Sequence, residues 1–389
     1  MANKEFDEIV NRRHSGSIKW NVKDGELPMW VADMDFKTAP AVVEALRKRV
    51  EHGVFGYCAP DQEWADAYVS FYGDRYGWNI NPKDLVFCLG VVPVLSSSVR
   101  ALTSVGDNVV LFTPVYNIFF NSIVNNKRVP LPVPLLEENG AFHLNYPAIE
   151  KAFADEKTTL CFFCNPHNPV GKIFAKEEMG RLADLARKHG VRILSDEIHG
   201  PVSRPGHPYV PFLSLDGVED VVYSAISPTK AFNLAGIHTA AIVMPNEEIR
   251  KKVERQINTD EVAEPNVFSC VASTAAFNEG REWLDNLNEY VFANRDYAET
   301  YIQENIPELI PIHGDATYLL WVDCRKICAD SRPFLEFLRE KTGLFVSAGE
   351  IYGPGGEGFV RINLAAPRSL VEDGLRRLKE GVVSFRNKR

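Results

Sequence analysis

Short apolar stretches alternate with longer amphipathic stretches through the middle of this chain. The apolar stretches are rich in β-branched and aromatic residues and have the length of strands. They cover residues 85–89, 108–112, 160–163, 191–195, 221–225 and 239–244. Because they are apolar without alternation, we expect both faces of the sheet to be buried and most of its strands to be parallel. The pattern predicts an α/β fold.

Helical spacing separates these predicted strands. Residues 176–190 have apolar positions at helical intervals and end in Lys-His-Gly, which is typical of a helix C-terminus. After about residue 285 the pattern changes to α+β, with helices over 282–304 and 332–341 and strands near 317–323 and 358–363. No repeat or linker separates the parts. We therefore predict a large domain over residues 49–284 and a smaller α+β domain built from residues 1–48 and 285–389.

Three polar positions directly follow predicted strands: Asn168 in Asn-Pro-His-Asn-Pro-Val-Gly, Asp196, and Lys230 in Ser-Pro-Thr-Lys-Ala-Phe-Asn. Ligands of such sheets bind outside the carboxyl ends of the strands. A lysine amine can bind an aldehyde cofactor covalently, a carboxylate can keep a pyridine nitrogen protonated, and an amide can donate to a ring oxygen. Taken singly, each has another interpretation: Asn168 as part of a proline-rich turn, Asp196 as a helix N-cap and Lys230 as a solvated loop lysine. Together they predict a pyridoxal 5'-phosphate site.

Other residues complete this predicted site. The segment Gly90-Val91-Val92 follows a strand and begins a helical stretch, so its N–H groups can bind a phosphate together with the hydroxyls of Ser227 and Thr229. Tyr116 can stack on the pyridine ring, although an isolated tyrosine is more often a packing residue. Arg361 can bind the substrate carboxylate with two parallel hydrogen bonds, or it is an ordinary surface arginine.

The composition narrows the possible partners and the compartment. The formal charge is −9, from 43 Lys and Arg against 52 Asp and Glu, which disfavours binding to nucleic acid or to an anionic membrane. The N-terminal residues lack a signal peptide pattern, and no stretch has the length and apolar character of a membrane span, so we expect a cytoplasmic protein. Of the seven cysteines, Cys161 and Cys164 lie in a predicted strand on opposite faces, and Cys324 and Cys328 have a similar apolar setting. We interpret both pairs as core packing and predict no metal site.

Several longer strings resemble one family of enzymes. The chain is similar to the fold-type-I pyridoxal-phosphate superfamily, and within it to the MalY/PatB class of cysteine-S-conjugate and cystathionine β-lyases. The strings include Ser17-Ile-Lys-Trp, Leu27-Pro-Met-Trp-Val-Ala-Asp-Met-Asp-Phe, Gly53-Val-Phe-Gly-Tyr, Ser195-Asp-Glu-Ile-His, Thr317-Tyr-Leu-Leu-Trp and Arg361-Ile-Asn-Leu-Ala. The resemblance extends over nearly the whole chain. It implies a transferase-like α/β fold whose large domain has a mostly parallel sheet of seven strands.

The resemblance also implies roles for particular residues. Lys230 would bind the cofactor aldehyde, Asp196 its ring nitrogen, and Asn168 and His199 its ring oxygen, while Tyr116 would stack on the ring. Tyr57 would reach the phosphate of the neighbouring subunit, which makes the active unit a homodimer. Arg361 would bind the substrate carboxylate with help from the backbone near Ala32. His238 stands where many superfamily members have a phosphate-binding arginine, so the helix N-terminus and the hydroxyls would compensate more of the phosphate charge.

The expected activity is α,β-elimination on an L-cysteine S-conjugate such as L-cystathionine, which yields a thiol, pyruvate and ammonia. An aminotransferase acting on an L-amino acid would use the same lysine and aspartate, and the string at residues 27–36 is what favours the lyase. A third alternative is a protein that binds a regulatory partner and has incidental lyase activity. The sequence identifies neither the thiol that leaves nor the pathway.

Overall fold

The six apolar stretches in the middle of the chain and a further strand at Val129–Pro134 form one sheet of seven strands in the structure, a computed structural model that describes residues 4–388. The strands in chain order are β1 (Leu27–Pro28), β2 (Leu85–Cys88), β3 (Asn108–Thr113), β4 (Val129–Pro134), β5 (Leu136–Glu138), β6 (Ala141–His143), β7 (Thr158–Cys164), β8 (Arg192–Asp196), β9 (Val222–Ile226), β10 (Ala240–Val243), β11 (Ile310–Ile312), β12 (Leu319–Asp323), β13 (Leu344–Phe345), β14 (Ser347–Ala348) and β15 (Phe359–Asn363).

The order of the strands across the seven-stranded sheet is β2-β10-β9-β8-β7-β3-β4. Strands β9, β8, β7, β3 and β4 pair in parallel, whereas β10 is antiparallel to both of its neighbours, β9 and β2. The predicted mostly parallel α/β sheet is confirmed, with β10 reversed. Because β10 is reversed, the residues that precede it lie at the same edge of the sheet as the residues that follow the other strands.

Helices cover both faces of this sheet, and further helices belong to the C-terminal part of the chain. They are α1 (Pro40–His52), α2 (Gln62–Tyr76), α3 (Val91–Leu102), α4 (Ile118–Val124), α5 (Tyr146–Phe153), α6 (Lys176–His189), α7 (Glu247–Thr259), α8 (Ser269–Glu279), α9 (Arg281–Asn305), α10 (Ser331–Thr342) and α11 (Arg368–Lys388). Short 3-10 helices cover Lys4–Asp7, Pro82–Asp84, Phe212–Ser214, Ala235–Ile237 and Gly349–Tyr352. The predicted helix at 176–190 is confirmed: it ends at His189, and Gly190 follows with φ 71°, the left-handed conformation that glycine adopts easily.

The side chains of β7 pack alternately on the two faces of the sheet, and nearly all of them are buried. Cys161 and Phe163 pack in the hydrophobic core on one face of the sheet, and Phe162 and Cys164 pack in the core on the other face. Both cysteines are buried and free, so the interpretation of this pair as core packing is confirmed. Cys324 and Cys328 are buried in a third core. Among residues 4–388, no group of three or more His, Cys, Asp or Glu side chains could hold a metal ion.

The third core is built mainly from the C-terminal part of the chain, with Leu27 and Met29 from the N-terminal part. It lies against an antiparallel sheet with the strand order β11-β12-β15-β14, and β1 adds a short parallel pairing with β13. Helix α9 joins two cores, because its first half packs in the core of the large sheet and its second half packs in the third core. The predicted domain boundary at residue 48 falls inside α1, and the one at residue 284 falls inside α9. The division into two domains stays a prediction.

Candidate active site

A cavity of about 310 Å³ opens at the carboxyl edge of the large sheet, where ligands of such sheets bind. Most of the residues predicted for the site line it. They are Ala32, Val91, Val92, Tyr116, Asn168, Asp196, His199, Thr229, Lys230 and His238. The strand arrangement explains this convergence, because β2, β3, β7, β8 and β9 all end at this edge and the reversed β10 begins there.

Lys230 follows β9 and reaches across the cavity to the N-terminal part of the chain. Its Nζ donates a hydrogen bond to the carbonyl oxygen of Ala32 at 2.5 Å. The pKa of Lys230 is lowered to about 8, first by burial and then by the positive charge of Arg361, against the opposing effect of Asp33 and Asp196. A larger share of this amine is therefore neutral at physiological pH than for an exposed lysine, which is the state a nucleophile and a base require.

Asp196 is the last residue of β8 and is buried in the cavity wall. Its Oδ1 accepts a hydrogen bond from the N–H of Ile198 at 3.1 Å, and no helix begins there, so the N-cap alternative is wrong. Burial raises the pKa of Asp196 to about 7, while the N–H of Ile198 and the charge of Lys230 act in the other direction. A buried carboxyl group of this kind gains stability from a cationic partner in the cavity.

Arg361 lies on β15 and enters the site from the antiparallel sheet. Its Nη1 donates to Asn168 Oδ1 at 3.2 Å and its Nη2 donates to the carbonyl oxygen of Trp30 at 2.8 Å. Arg361 as a residue is 5 % exposed. Its guanidinium lies 5.0 Å from the centroid of the Tyr352 ring, and its Nε is buried without a hydrogen-bond partner. Arg361 is therefore not a surface arginine. Because the Asn168 oxygen accepts from Arg361, the amide nitrogen is the donor that Asn168 can offer to a ligand.

His199 is buried beside these groups. Burial lowers its pKa well below the ordinary value, and the charges of Lys230 and Arg361 lower it further, so the ring is neutral. Its Nδ1 is buried and has no hydrogen-bond partner. A buried polar atom without a partner is uncommon and costs stability unless a ligand satisfies it. The unpartnered atoms of His199 and Arg361 both indicate a polar ligand in this region.

One part of the cavity wall, the N-terminus of α3, is suited to an anion. Helix α3 begins at Val91 directly after Gly90, and no side chain caps its first N–H groups. Unsatisfied N–H groups at a helix N-terminus favour a phosphate. Thr229 and His238 line the same cavity. The sequence did not identify Thr239, which also lines the cavity, because only the reversal of β10 brings it there.

Three predicted residues do not line the cavity of this chain: Arg361, which borders it through its hydrogen bond to Asn168, and Ser227 and Tyr57. Ser227 lies behind the wall, where its hydroxyl donates to the carbonyl oxygen of Thr239 at 2.7 Å and lies 2.8 Å from Thr229 Oγ1, so its contact with a phosphate stays a prediction. Tyr57 is fully exposed in an irregular segment with Val54 and Phe55. The structure therefore does not bring Tyr57 to the cavity of its own chain.

Sequence reasoning missed a further residue at the site. Tyr318, on the approach to β12, donates its OH to the carbonyl oxygen of Ala32 at 3.0 Å, the same oxygen that accepts from Lys230. Burial raises the pKa of Tyr318, so the phenol keeps its proton and remains a donor. Its only signal in the sequence was its place in the string at residues 317–321. Ala32 thus contacts the lysine through its backbone, in addition to its predicted place near the substrate.

Comparison with known proteins places this fold and this site in one class. The model of the family described as aminotransferase class I and II matches residues 27–378. The chain belongs to this family, and within it to the cystathionine β-lyase group, as the following relatives show. It is 38% identical to the cystathionine β-lyase PatB of Bacillus subtilis, over 96% of this chain and 98% of the relative. It is 30% identical to the protein MalY of Escherichia coli, over 98% of this chain and 100% of the relative.

A solved structure agrees with these relatives. Cystalysin from Treponema denticola, whose crystal structure contains pyridoxal 5'-phosphate, superposes with a TM-score of 0.94 at 32% identity, over 97% of this chain and 98% of that chain. The family resemblance inferred from the sequence is confirmed. Separately, no helix among residues 4–388 is long and apolar enough to cross a membrane.

Proposed function

We propose that this protein is a pyridoxal 5'-phosphate-dependent carbon–sulfur β-lyase that converts L-cystathionine or a related L-cysteine S-conjugate to a thiol, pyruvate and ammonia. The observation that carries the proposal is the convergence of Lys230 and Asp196 in one cavity, with Arg361 bonded to the lining residue Asn168, a lysine pKa lowered to about 8 and an aspartate pKa raised to about 7. The identity with PatB and MalY supports the lyase over the aminotransferase.

The donor set of the cavity fits the cofactor. Lys230 would hold the aldehyde carbon covalently, and Asp196 would pair with the protonated ring nitrogen, which answers the need of a buried carboxylate for a cation. Asn168 and the neutral ring of His199 would bind the ring oxygen, and Tyr116 would stack on the ring. The N-terminus of α3, with Thr229 and His238, would bind the phosphate. When bound, the cofactor supplies an electron sink for the negative charge that develops at the substrate Cα.

The residues of this chain would then position the substrate and move its proton. Arg361 would bind the α-carboxylate, because its guanidinium lies against Asn168 of the cavity wall and its buried Nε is unpartnered. This contact fixes the direction of the Cα–H bond. Lys230 Nζ, once free, takes the Cα proton, and the Ala32 carbonyl with the Tyr318 hydroxyl orients that nitrogen. Loss of the Cα proton allows the thiolate to leave Cβ.

The test of the proposal is the stoichiometry of products from L-cystathionine. A lyase releases free thiol and pyruvate in equal amounts, and the visible absorption band of the bound cofactor, near roughly 420 nm, persists through turnover. An aminotransferase would convert the cofactor to its amine form and release neither product. A purified protein that shows no such band after addition of the cofactor would exclude both enzymes.

Replacing Arg361 by lysine is expected to raise KM for L-cystathionine about 10- to 100-fold and to change kcat much less. Lysine keeps the charge but loses the planar pair of donors, so binding of the carboxylate suffers in the ground state and the transition state alike. Steady-state kinetics measures both constants. Arg332→Lys, an exposed arginine paired with Asp330, is the matched control and should leave both constants unchanged. An unchanged KM in Arg361→Lys would remove Arg361 from the carboxylate site.

We propose further that the active unit is a homodimer in which Tyr57 of one subunit completes the phosphate site of the other. The support is its position: Tyr57 is fully exposed beside the exposed side chains of Val54 and Phe55 and does not reach the cavity of its own chain. A contiguous exposed apolar segment favours a protein–protein contact. In a twofold dimer the same segment serves both sites.

Mixed dimers test this arrangement. Tyr57→Ala is expected to weaken cofactor binding about tenfold, the effect of one lost hydrogen bond to a charged group. When Tyr57→Ala and Lys230→Ala subunits are mixed in equal amounts and exchanged at limiting cofactor, half of the dimers are hybrid and each has one intact site. Activity should therefore return to about one quarter of wild type. No recovery would mean that Tyr57 acts within its own subunit.

The regulatory alternative is tested by a variant without catalysis. A Lys230→Ala protein that still captures a transcription regulator in a pull-down would support partner binding as an independent role. Nothing among the described contacts favours this alternative, and the complete cavity supports catalysis as the main role.

A further inference from the structure

The irregular segment between β1 and α1, residues 30–36, is held in place by side chains from distant parts of the chain. Carbonyl oxygens along it accept side-chain hydrogen bonds. The carbonyl oxygen of Trp30 accepts from Arg361 at 2.8 Å, that of Val31 from Asn363 at 2.6 Å and that of Ala32 from Tyr318 at 3.0 Å. The carbonyl oxygen of Asp33 accepts from Lys19 at 3.2 Å, that of Met34 from Arg12 at 2.8 Å and that of Phe36 from Asn233 at 2.8 Å. We call this segment the 30–36 loop. Its backbone position is therefore set by tertiary contacts.

The 30–36 loop contacts the segment of Lys230 at two places. The Ala32 carbonyl accepts from Lys230 Nζ at 2.5 Å. Asn233, three residues further on, accepts from the N–H of Met34 at 3.0 Å and donates to its carbonyl oxygen at 3.1 Å. A displacement of the loop would therefore move the acceptor that orients the amine. Misplacement of a catalytic group by about 1 Å can reduce a rate about 100-fold.

An ion cluster joins Arg12 and Lys19 to Asp33 and Asp35 of the 30–36 loop. Lys19 Nζ pairs with Asp35 Oδ2 at 2.7 Å, and Arg12 pairs with Asp33 Oδ2 at 2.8 Å and with Asp35 Oδ1 at 2.7 Å. The side chains of Lys19 and Asp35 are only 1% and 4% exposed. The Asp35 carboxylate also accepts from Trp20 Nε1 at 2.7 Å.

Burial of such a cluster adds little net stability, because the desolvation of four charges offsets most of their attraction. Two cations and two anions balance, so the intact cluster leaves no net charge beside the cavity. Asp33 is the member whose charge acts on the Lys230 amine, where it opposes Arg361. The cluster thus holds the segment that carries the Ala32 carbonyl, and it adds no net charge near the Lys230 amine.

We propose that Lys19 and Asp33 are positioning residues for Lys230, which hold the Ala32 carbonyl against its amine and balance the charge that the amine experiences. The inference rests on the proposed function, since it concerns the lysine of that site. Lys19 acts only through the 30–36 loop and touches neither substrate nor cofactor.

The charged and titratable groups around the Lys230 amine come from several elements. Those whose charges act on its pKa are Asp33 on the 30–36 loop, Asp196 at the end of β8 and Arg361 on β15. Tyr116 after β3, His199 after β8 and His238 before β10 line the same cavity, and Tyr318 before β12 donates to the same carbonyl oxygen of Ala32. Substitution of Lys19 changes none of these groups, and substitution of Asp33 changes only Asp33. A change in the protonation of the Lys230 nitrogen can therefore be assigned to the ion cluster.

The test uses the holoenzyme and titrates its visible absorption between about pH 6 and about pH 10, which follows the proton on the Lys230 nitrogen. Lys19→Met leaves the cluster with one net negative charge, which favours the protonated nitrogen, so the midpoint should rise by about half a pH unit. Asp33→Asn leaves one net positive charge, so the midpoint should fall by a similar amount. We expect kcat to fall about tenfold in Lys19→Met, with KM changed less than about twofold.

The double variant and a control complete the test. Lys19→Met combined with Asp33→Asn restores charge balance, so its midpoint should return to the wild-type value while kcat stays low. Lys37→Met removes the same charge from the exposed pair of Lys37 with Glu8, directly after the loop, and should change neither quantity. If Lys19→Met does not fold, Asp33→Asn decides alone, because Asp33 is partly exposed and asparagine keeps an acceptor for Arg12.

Two results would overturn the inference. One is a shift of both single variants in the same direction, and the other is wild-type midpoints and kcat with a lowered melting temperature alone, which is the result of a purely structural role. The failure of the proposed function has a different signature, since the wild-type protein would then show no visible band or release no pyruvate and thiol.

Discussion

Replacement of Lys230 by alanine is expected to lower the rate of β-elimination about 10⁴-fold or more. The variant loses both the covalent attachment of the cofactor and the base for the Cα proton, and proton transfer by a positioned side chain alone contributes about 10² to 10⁴. Lys230 Nζ lies 2.5 Å from the Ala32 carbonyl oxygen, in a cavity that Asp196 also lines. No other lysine is among the lining residues, so none can replace it. Initial rates of pyruvate release measure the effect.

The control for this prediction is Lys176→Ala, which removes an exposed lysine at the start of α6 and should keep full activity. Borohydride reduction should fix the cofactor to the wild type and to Lys176→Ala and leave it removable from Lys230→Ala. A Lys230→Ala protein that retains activity within about tenfold of wild type would assign the covalent and basic roles to another group.

Asp196→Asn is expected to lower kcat about 10³-fold, because the neutral amide no longer keeps the ring nitrogen of the cofactor protonated and the charge at Cα loses its stabilisation. Asparagine has nearly the same shape and keeps an oxygen for the N–H of Ile198. Steady-state kinetics with saturating cofactor separates this effect from weaker cofactor binding. Asp216→Asn, at an exposed aspartate, is the control and should be fully active.

The same substitution should stabilise the protein without cofactor, in a pH-dependent way. The Asp196 carboxyl has a pKa of about 7 in the folded chain and an ordinary low pKa when unfolded, so the folded form binds more protons between these values. Stability of the wild-type apoprotein therefore falls as the pH rises through this window, by up to about 4 kcal/mol. Asp196→Asn lacks this loss.

Thermal melts of the two apoproteins check the sign. The melting temperatures should agree at about pH 3, below the pKa of the carboxyl in both states, and the variant should melt higher at about pH 8. A wild-type apoprotein that is the more stable one at the higher pH would show that the Asp196 carboxylate has a favourable partner in the empty cavity.

Much of the large sheet could be predicted because its strands are marked by local pattern. The apolar stretch at 160–163 became β7, and the amphipathic stretch that ends in Lys188, His189 and Gly190 became α6 with its C-cap. Lys230, Asp196 and Asn168 could be assigned to one edge for a related reason, since each follows a strand and parallel strands end at the same edge. These are properties of neighbouring residues and of one general rule of topology.

The reversal of β10 could not be predicted from its sequence, because the stretch at 239–244 is equally apolar in either direction. That reversal is what brings Thr239 to the cavity and His238 beside it. The place of Ser227 behind Thr229 is likewise a tertiary result, since adjacent hydroxyls do not reveal which one faces a cavity.

The sequence by itself therefore determined the class of fold, the family and the cofactor, and it predicted a central trio of lysine, aspartate and arginine. Only the tertiary structure decided what surrounds them: the Tyr318 hydroxyl on the Ala32 carbonyl, the unpartnered nitrogens of His199 and Arg361, and the ion cluster of Arg12, Lys19, Asp33 and Asp35. The physical reason is range. Strand and helix periodicity and motif spacing are written in consecutive residues, whereas hydrogen bonds and charge balance join residues up to some three hundred positions apart, and pattern along the chain does not encode those distances.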